Sequence, residues 1–574
     1  MIKIPQNIIP KMLPYTSDTV SDFKETFNLN LSKKLGTILT TRLKRGDSFD
    51  TEEVPSAFAY FEDSYFAVGG TYLKRGGNAP DDTFSNVTGS NHPSDINYLA
   101  CDLEEFNGSL FVSGTGNGDG VHRYDGSSWT VVSASGLTVS TKIHLLKRFG
   151  DRIYVADSAV IGSIDTSDVL SLTGTATFDS GLSANWVCTM LEASFDSLFI
   201  GFHDTDTNKG IIYEWDGSSE NQALRKFEIQ SGILGGTVLD NVPYYVDVRG
   251  RLFRYAGTSF VLVGAVGVES DFSFDGTNSQ TVEERPMHPN GITSTDDGNI
   301  LFLWKNTLVT GQDYDTKPSG VYEYNPEIGV YHKYSISTTT SNGDSRIHKV
   351  GAVFQRRPNT SPFENGTLLV GASQLQSASS TDYSGYVFYD DVENSLTKIG
   401  YFITKDLWTN NIEDTFKKIY AKHKKLVNSG DKVVVKYRTE PHIRTEAECS
   451  WANTSRLLTS TDVSNYVQGD EVTVIIGSGA GKSAHIVEIQ PLGSGYSILL
   501  DEVFTSADGT CLVYFDKWIK AGVSTSSNLK QFTEGTVAKN NQSPYLEAKV
   551  YIISASKSVE MNSLNIISAE NKKE

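Results

Sequence analysis

The segment closest to a known chemical motif is Gly477 to Ser483, which reads Gly-Ser-Gly-Ala-Gly-Lys-Ser. A phosphate-binding P-loop needs a further glycine five residues before the glycine of its Gly-Lys-Ser, and that position holds Ile476. The loop must also open a helix whose N-terminal amides hold the phosphate. An alternating strand pattern follows instead. We therefore predict a hairpin turn at this place and no nucleotide site.

A second candidate is the acidic stretch from Asp204 to Gly210, which imitates the start of a calcium-binding EF-hand loop. The sixth position of such a loop requires glycine and the twelfth requires glutamate. Here those positions hold Lys209 and Trp215. Calcium binding is left as a minority alternative. The ten histidines show no HExxH or HxH spacing, so no metal-ligating residue is predicted.

These segments belong to a chain with a repeated unit, an aromatic residue followed by a turn and an apolar run. The clearest copies start at Phe61, Phe106, Phe149 and Phe363, and weaker copies start at Phe195, Val248 and Asp297. The starts at 61, 106, 149 and 195 are separated by 45, 43 and 46 residues. One four-stranded propeller blade needs roughly 40 to 50 residues. Turn pairs such as Asn-Gly reach positive φ easily, so each unit predicts a tight hairpin that leads into a buried strand.

A second unit, with period-two alternation, a turn and another aromatic residue, follows most of these copies, for example from Gly120 to Trp129. It is typical of the outer hairpin of a blade. The sequence therefore predicts an all-β chain with a β-propeller of about seven blades, the expected range being six to eight. The alternative is a set of unrelated hairpins from a sandwich protein.

One of these outer hairpins resembles the Asp-box turn of sialidase-type propellers, at Tyr124-Asp125-Gly126-Ser127-Ser128-Trp129. That box has Ser or Thr two residues before the Asp and Gly two residues after it. Here Arg123 and Ser127 hold those places. A glycosidase also needs a pair of carboxylates at one site, and nothing marks one pair among the 69 acids. We therefore expect no catalytic residue, no cofactor and no enzymatic activity.

The propeller pattern does not fill the 574 residues, and the predicted boundaries follow changes of rhythm along the chain. Residues 1–50 form an N-terminal β segment that joins a platform, and residues 51–405 form the propeller. Residues 406–442 and 512–574 form a β-sandwich, the platform domain. Residues 443–511, with short alternating strands and glycine-rich turns, form an inserted small β-barrel.

A lysine-rich stretch marks the start of the platform. Residues 411–440 hold eight Lys or Arg and four acids, a local charge of +4. Phe416 to Leu426 is compatible with a helix, but the turn at Asn428 to Asp431 and the strand after it favour a β-hairpin. A solvated strand face and a surface that docks an acidic neighbour are equally good interpretations. The interface candidates are Lys417, Lys418, Lys422, Lys424, Lys425, Lys432, Lys436 and Arg438.

Composition narrows the function classes. The formal charge of −19 argues against general nucleic-acid binding, because an acidic chain offers few phosphate contacts. The four cysteines, Cys101, Cys188, Cys449 and Cys511, lie far apart without a CxxC pair, so neither disulfides nor a zinc site are indicated. No stretch reaches the roughly 20 apolar residues of a membrane-spanning helix, and the N-terminus has no signal-peptide pattern. A soluble protein synthesised in a host cytoplasm is expected.

The layout resembles the virion structural proteins of tailed bacteriophages. An N-terminal β segment, a propeller of irregular blades and a C-terminal β domain ending near Ser543 to Val550 are most similar to the tail tubular or nozzle proteins of short-tailed phages, although known members tend to be longer. The resemblance implies a virion tail protein that forms a homo-oligomeric, hexameric ring below the portal and adaptor. DNA would leave through the lumen, and other tail proteins or fibres would dock outside.

Two other classes stay open at this point. One is a receptor-binding or glycan-binding propeller adhesin, because the seven Trp and many Tyr can stack on sugars. The other is a propeller enzyme that cleaves glycans. Aromatic and acidic side chains gathered in one pocket at the top of the blades would favour these classes, whereas a ring interface between chains would favour the structural role.

Overall fold

The computed structural model describes the chain from residue 23 to residue 570 with gaps. The segments outside the description are 1–22, 28, 31–36, 40–42, 52–53, 70–71, 78–82, 88–95, 98–101, 114, 117–120, 133–143, 158–159, 166–169, 172–181, 183–184, 218–222, 267–285, 306–318, 335, 337–348, 356–366, 376–382, 391–398, 405–406, 409–413, 424, 427–430, 439–443, 467–469, 478–482, 502–508, 526–531, 537–544, 554–559 and 571–574. In the described part every regular element is a strand, and no helix long and apolar enough to cross a membrane occurs there.

The strands are numbered in chain order. Strands β1 to β4 are Phe23–Phe27, Leu29–Asn30, Thr37–Leu39 and Leu43–Thr51. Strands β5 to β18 are Ala57–Phe61, Ser64–Gly69, Tyr72–Arg75, Ser85–Asn86, Ile96–Asn97, Leu103–Phe106, Ser109–Ser113, Thr115–Gly116, Val121–Tyr124, Trp129–Val132, Leu146–Phe149, Arg152–Asp157, Val160–Ile164 and Leu170–Ser171. Strands β19 to β33 are Trp186–Ala193, Leu198–Asp204, Gly210–Trp215, Arg225–Ile229, Ile233–Leu239, Val242–Asp247, Arg251–Tyr255, Phe260–Ala265, Ile292–Ser294, Ile300–Trp304, Gly320–Asn325, Gly329–Tyr334, Val350–Gln355, Leu368–Leu375 and Tyr383–Asp390.

The remaining strands follow the repeated part of the chain. Strands β34 to β47 are Ile399–Thr404, Leu407–Trp408, Asp414–His423, Lys432–Arg438, Arg444–Asn453, Arg456–Thr459, Glu471–Gly477, Ser483–Leu492, Gly495–Leu500, Thr510–Asp516, Ile519–Thr525, Phe532–Thr536, Tyr545–Ile553 and Glu560–Glu570.

Seven of the sheets share one plan of four antiparallel strands, which follow chain order except that the last strand of the seventh sheet is β4. Sheets 1 to 7 are β5-β6-β7-β8, β10-β11-β13-β14, β15-β16-β17-β18, β19-β20-β21-β22, β23-β24-β25-β26, β27-β28-β29-β30 and β31-β32-β33-β4. Their first strands contact one another in the cyclic order β5, β10, β15, β19, β23, β27, β31 and back to β5. The sheets therefore surround one axis, which their first strands line.

A separate hydrophobic cluster fills each of the seven gaps between neighbouring sheets, including the gap between sheets 7 and 1. The closing cluster contains Phe58 and Tyr65 of sheet 1 and Leu369 of sheet 7. An apolar strand face must be buried against another element, and a closed ring of sheets does this without leaving a bare face. The predicted all-β propeller class is confirmed.

The repeated turn chemistry forms the hairpins at the inner strands. Asn107 and Gly108 between β10 and β11 have φ of 49° and 69°, and Asp240 and Asn241 between β23 and β24 have 50° and 62°. Both central residues of a type I′ turn need positive φ, which Gly, Asn and Asp reach most easily. The short turn then fixes the register of the buried second strand, as in the pair Phe106 and Ser109.

Ring closure uses a strand that the sequence boundaries place elsewhere. β4 pairs with β33, from Leu43 opposite Asp390 to Thr51 opposite Ser384. It supplies the outer strand of sheet 7, although residues 1–50 were expected to join the platform. At the other boundary β34 pairs with β46 outside the propeller, although residue 405 was the expected end. Sheet 7 thus joins two chain segments more than 330 residues apart, which ties the ring shut.

The closing seam depends on glycine. Ala352 N–H donates to the Pro55 carbonyl at 2.9 Å, and a Cβ added at Gly351 would lie 2.1 Å from that oxygen. We expect Gly351→Ala to lower the free energy of unfolding by about 1–3 kcal/mol, because the backbones of sheets 7 and 1 must separate. Urea denaturation measures this value. Gly493→Ala is the control, since its Cβ would meet nothing within 4 Å. Equal stability of the two variants would contradict the seam.

Two further sheets combine strands from before and after the propeller in the chain. One has the order β1-β34-β46-β37-β44 with β35 beside β46, and the other has the order β2-β3-β47-β36-β45. One cluster joins them, with Ile419 from β36, Val435 from β37 and Val550 from β46. Tyr331 of sheet 6 belongs to the same cluster, so this two-sheet domain packs on the propeller at β30.

The expected hairpin between residues 416 and 438 is wrong in its pairing. Both segments are strands, but β36 pairs with β45 and β47, whereas β37 pairs with β44 and β46. Each strand has both edges occupied, so the chain crosses from one sheet to the other. The long-range partners, which begin at residue 519, decide the pairing, and local turn residues do not reveal them.

Between β37 and β44 the chain forms a closed barrel in the order β38-β39-β42-β41-β40-β43. It extends to Asp516, five residues past the expected end at 511. Residues 478–482, where the hairpin turn was predicted, lie outside the described residues, but β40 and β41 on either side of them are antiparallel neighbours. A P-loop must open a helix, whereas Ser483 begins a strand.

Candidate functional site

In the two loops that resemble known motifs, the aspartate carboxylates already accept hydrogen bonds from nearby protein groups. The Asp204 carboxylate accepts from the Asp206 N–H at 3.1 Å and from the Thr207 hydroxyl, while Asp206 accepts from the Asn185 amide. The Asp125 carboxylate accepts the Ser127 and Ser128 N–H groups at 2.9 and 2.7 Å. These backbone bonds lower the pKa of Asp125. Both loops are therefore built as turns. Over the described ranges, no group of three or more His, Cys, Asp or Glu side chains is arranged to hold a metal ion.

A group of polar and charged side chains, two of them carboxyls with raised pKa values, lies at the propeller axis. We define the axial cluster as Asp102, Glu104, Lys147, Glu192 and Asn290. Asp102 and Glu104 are at the start of the first strand of sheet 2, Lys147 is in that of sheet 3, Glu192 is in that of sheet 4, and Asn290 precedes that of sheet 6. Polar side chains from four different sheets therefore lie close together at the axis.

Asp102 connects the starts of several sheets. Its Oδ2 accepts from the Leu146 N–H of sheet 3 at 2.9 Å, and its Oδ1 accepts from the Asn290 amide at 3.1 Å. The same amide nitrogen donates to the Ser56 carbonyl of sheet 1 at 3.1 Å. The Asn290 carbonyl accepts the Val353 N–H of sheet 7 at 2.8 Å. Since sheets 2 and 6 are not neighbours in the ring, the Asp102–Asn290 bond spans the axis at this end.

The other charges form a row across three consecutive sheets. Lys147 Nζ lies 2.8 Å from Glu192 Oε2, and their side chains are 31% and 17% exposed. Burial raises the pKa of Glu104 to about 7, because desolvation of its carboxylate outweighs the attraction of Lys147. Burial raises the pKa of Asp102 to about 6, because desolvation outweighs the hydrogen bonds from the Leu146 and Leu103 N–H groups and the attraction of Lys147. Burial lowers the pKa of Lys147, but the carboxylates of Glu192 and Glu104 more than offset this, so the net shift is upward. Lys147 thus stays charged, and Glu104 and Asp102 gain or lose a proton near neutral pH.

The axial carboxyls make stability depend on pH. A folded-state pKa raised above its unfolded value of 4.5 means that the folded state binds more protons, so stability falls as pH rises from about 4.5 to 7. One group contributes at most about 1.4 kcal/mol per pH unit. We expect Glu104→Gln to make the fall in melting temperature between pH 4.5 and 7.5 less steep, while the part due to Asp102 remains. The exposed neighbour control Glu105→Gln should keep the wild-type slope. A wild-type slope in Glu104→Gln would contradict this assignment.

The eight basic interface candidates do not share one surface. Lys422 and Lys425 are exposed, and Lys418 Nζ lies 2.8 Å from Glu534 Oε1 on the neighbouring β45. That bond is the main reason why the pKa of Lys418 is raised. The others are Lys432, partly buried at the start of β37, Lys417, whose side chain is outside the description, and Lys424, which lies outside it altogether.

Lys436 and Arg438 correct the prediction, because both are buried inside the chain. Lys436 Nζ lies 2.9 Å from Glu471 Oε2 of the barrel. Arg438 Nη1 lies 3.5 Å from Asp516 Oδ1, also of the barrel, and its Nε bonds Glu547 of β46. They cannot belong to an outer docking surface. Their contacts fix the barrel on the two-sheet domain instead.

We define the junction network as the buried charged residues between the barrel and the two-sheet domain. It contains three cations and three carboxylates: Lys436, Arg438, Lys549, Glu471, Asp516 and Glu547. Each residue is at most 5% exposed. Burial alone would raise the pKa of Glu471, but Lys436, Lys549 and the Tyr551 hydroxyl lower it to about 2. Buried charges are tolerated only when they are paired and hydrogen-bonded, as here.

The cysteines include one cross-strand neighbour pair that sequence spacing did not reveal. Cys449 and Cys511 are opposite each other on β38 and β43, inside the barrel, and both are free thiols. Burial raises the pKa of each to about 12. Cys188 is also a free buried thiol, whereas Cys101 lies outside the described residues. The barrel thiols are therefore protonated at neutral pH.

Sequence comparisons give no family: no protein-family model and no curated protein matches this chain. Solved structures with a similar fold include Sqt1 of Saccharomyces cerevisiae, with 12% identity over 62% of this chain and 100% of that one, at a TM-score of 0.38. YCF48 from Cyanidioschyzon merolae has 9% identity over 61% and 98%, also at 0.38. A luciferin-regenerating enzyme has 15% identity over 50% and 89%, at 0.29. At such TM-scores the propeller assignment rests on the chain's own seven sheets.

Proposed function

We propose that this protein is a structural component of a bacteriophage tail, of the nozzle or tail tubular type. The observation that carries the proposal is the joint use of the two ends of the chain. β1 pairs with β34 and β3 pairs with β47, so segments before and after the propeller build one domain that carries the inserted barrel. A propeller gives a rigid support with protected edges, and the second domain adds surfaces for neighbours. This layout fits a binding or structural role.

In the proposed assembly, copies of the chain form a hexameric ring, and DNA passes through the lumen between subunits. The propeller axis is a poor path for DNA, because the Asp102–Asn290 bond spans it. The charge of −19 limits phosphate contacts, which suits passage without specific binding. Portal, adaptor and fibre proteins are the proposed neighbours, and the exposed Lys422 and Lys425 suit an acidic one.

Sedimentation velocity of the purified protein tests this function. We expect a hexameric species at micromolar concentration, with a monomer fraction that grows on dilution. Lys422→Glu combined with Lys425→Glu should weaken binding to an acidic neighbour and leave the melting temperature unchanged, since both side chains are exposed. A chain that remains monomeric at every concentration would count against the ring.

One observation favours a second candidate, a propeller enzyme that cleaves glycans. Glu104 and Asp102 lie near each other at the axis, and carboxyls with raised pKa values serve as general acids in glycosidases. We propose that their role is structural, because Asp102 already binds three N–H groups, from Leu103, Leu146 and Asn290. Release of reducing ends from a host polysaccharide, lost in Glu104→Gln, would instead establish the enzyme.

A further inference from the structure

The outer edge of sheet 5 differs from the outer edges of the other six sheets. β26 is six residues long, reads Phe-Val-Leu-Val-Gly-Ala and has no charged side chain. Exposed edge strands normally avoid pairing with other chains by being short or by carrying charges. The outer strands of the other sheets follow that rule: β8 and β18 have two residues, β14 has four, and β4, β22 and β30 contain charged or histidine side chains.

Both faces of β26 offer apolar groups to a partner. Val261 is 43% exposed and Leu262 is 42% exposed. Successive side chains of a strand point to opposite faces, so these two neighbours expose apolar surface on each side. Within the part of the chain that the structure describes, β26 pairs with β25 alone. Among the described strands, none other runs along its second edge, which is where a further strand would pair.

Backbone geometry directs hydrogen-bonding groups to that open edge. Ala256 N–H donates to the Ser259 carbonyl at 2.8 Å, which begins the ladder between β25 and β26. Bonded and non-bonded pairs alternate in an antiparallel ladder. The next pair, Tyr255 with Phe260, is therefore a non-bonded pair, and so is the pair of Phe253 with Leu262. The N–H and C=O groups of Phe260 and Leu262 consequently point away from β25, toward the outer edge of β26. An added strand would bond to Phe260 and Leu262.

Aromatic rings pack against the edge from inside the sheet. The Phe260 ring centroid lies 5.4 Å from that of Phe227 on sheet 4 and 5.0 Å from that of Tyr245. At the other end Gly264 fits closely against Val330 of sheet 6, where an added Cβ would lie 2.4 Å from a methyl carbon. A strand held in place loses little conformational entropy when a partner binds.

The charges beside the edge indicate which partner charge would suit it. Arg254 is the exposed cross-strand neighbour of Val261, and Arg249 is exposed at the turn before β25. Among the described residues neither arginine has an ion pair, whereas Arg251 pairs with Asp247 at 2.6 Å. On a chain of charge −19, this local positive charge favours an acidic partner segment.

We propose that the open edge of β26 is a docking site for an extended acidic segment of another protein, which adds to sheet 5 as a fifth strand. Main-chain bonds supply affinity, Val261 and Leu262 receive alternate apolar side chains, and Arg254 selects acidic residues. The site does not depend on the proposed ring, because it belongs to the propeller of a single chain.

Fluorescence anisotropy with an eight-residue peptide that alternates valine with glutamate or threonine tests the site. We expect saturable binding tighter than about 1 mM. Leu262→Lys should weaken it at least tenfold, and Val131→Lys, at a 51% exposed valine on the outer strand of sheet 2, should leave it unchanged. Circular dichroism checks that both variants fold.

Two altered peptides separate strand addition from other binding on the wild-type protein. A peptide N-methylated at alternate residues cannot form the ladder, and a peptide with lysine for glutamate meets Arg254 with like charge. Both should bind at least tenfold more weakly. Equal binding of the methylated peptide, or no binding of the original peptide at 1 mM, would overturn the proposal. Loss of self-association in Leu262→Lys, without peptide binding, would replace the proposed occupant with a second copy of this chain.

Discussion

Replacing Glu471 with alanine is expected to lower the free energy of unfolding by about 3–5 kcal/mol, because it leaves two buried cations without their shared partner. The Glu471 side chain is fully buried, 2.9 Å from Lys436 Nζ and 3.6 Å from Lys549 Nζ, and it accepts from the Tyr551 hydroxyl. Glu471 belongs to the barrel, and its partners belong to β37 and β46 of the two-sheet domain. The substitution therefore weakens the attachment of the barrel, which should melt first. Urea denaturation followed by tryptophan fluorescence measures the loss, since Trp518 lies at the junction.

A control variant, a double variant and the pH dependence test this expectation further. Glu448→Ala removes an exposed carboxylate from the same barrel and should change stability by no more than about 0.5 kcal/mol. Removing charges on both sides, with Glu471→Gln and Lys436→Met together, should recover part of the loss. Since the folded pKa of Glu471 is about 2 and its unfolded value is 4.5, its contribution is present above pH 4.5 and lost as pH falls toward 2. A Glu471→Ala variant as stable as Glu448→Ala would show that the network does not hold the barrel.

A chain trimmed to residues 43–390 is expected to fold as a monomeric propeller and to lose all assembly. These bounds keep β4, which completes sheet 7, and remove β1 to β3 and β34 to β47, which pair with one another. Cutting only residues 406–574 should give a less soluble product, since β1 and β34 would lose β46. Either cut also uncovers Tyr331, which is now 1% exposed. Light scattering and circular dichroism measure mass and folding.

The outcome of the trimmed chain separates two claims. A folded monomer supports assembly through the two-sheet domain and barrel. A folded propeller that still forms the full ring would mean that the ring interface lies on the propeller. A chain that starts at residue 52 and so lacks β4 is the matched control. It should melt at a lower temperature, because sheet 7 then ends at β33 with Phe388 and Tyr389 uncovered.

Local sequence predicted the elements well where local chemistry decides them. The turn at Asn107 and Gly108 fixes its own hairpin, and the same pattern indicated the propeller. The closing strand was assigned to the wrong domain because β4 finds its partner β33 more than 330 residues away. The crossing between β36 and β37 was missed for the same reason. Turn residues indicate that the chain reverses, but distant strands decide in which sheet.

The candidate sites were harder to predict than the fold. Lys436 and Arg438 read as surface charges because their carboxylate partners are distant in sequence, at Glu471, Asp516 and Glu547. The axial cluster had a usable signal. Glu104 and Lys147 both stand two residues before the aromatic start of a repeat, and Glu192 stands three before its own. Aligning the repeats would place these charges on adjacent inner strands, although their pKa values depend on burial.

Negative-stain electron microscopy of the purified full-length chain tests the central proposal, a ring-forming tail protein, most directly. We expect class averages with six subunits around an open lumen, and in each subunit a disc-shaped propeller attached to the two-sheet domain and barrel. Averages that contain only single propellers with a small attached domain, at a concentration where sedimentation also gives the monomer mass, would contradict it.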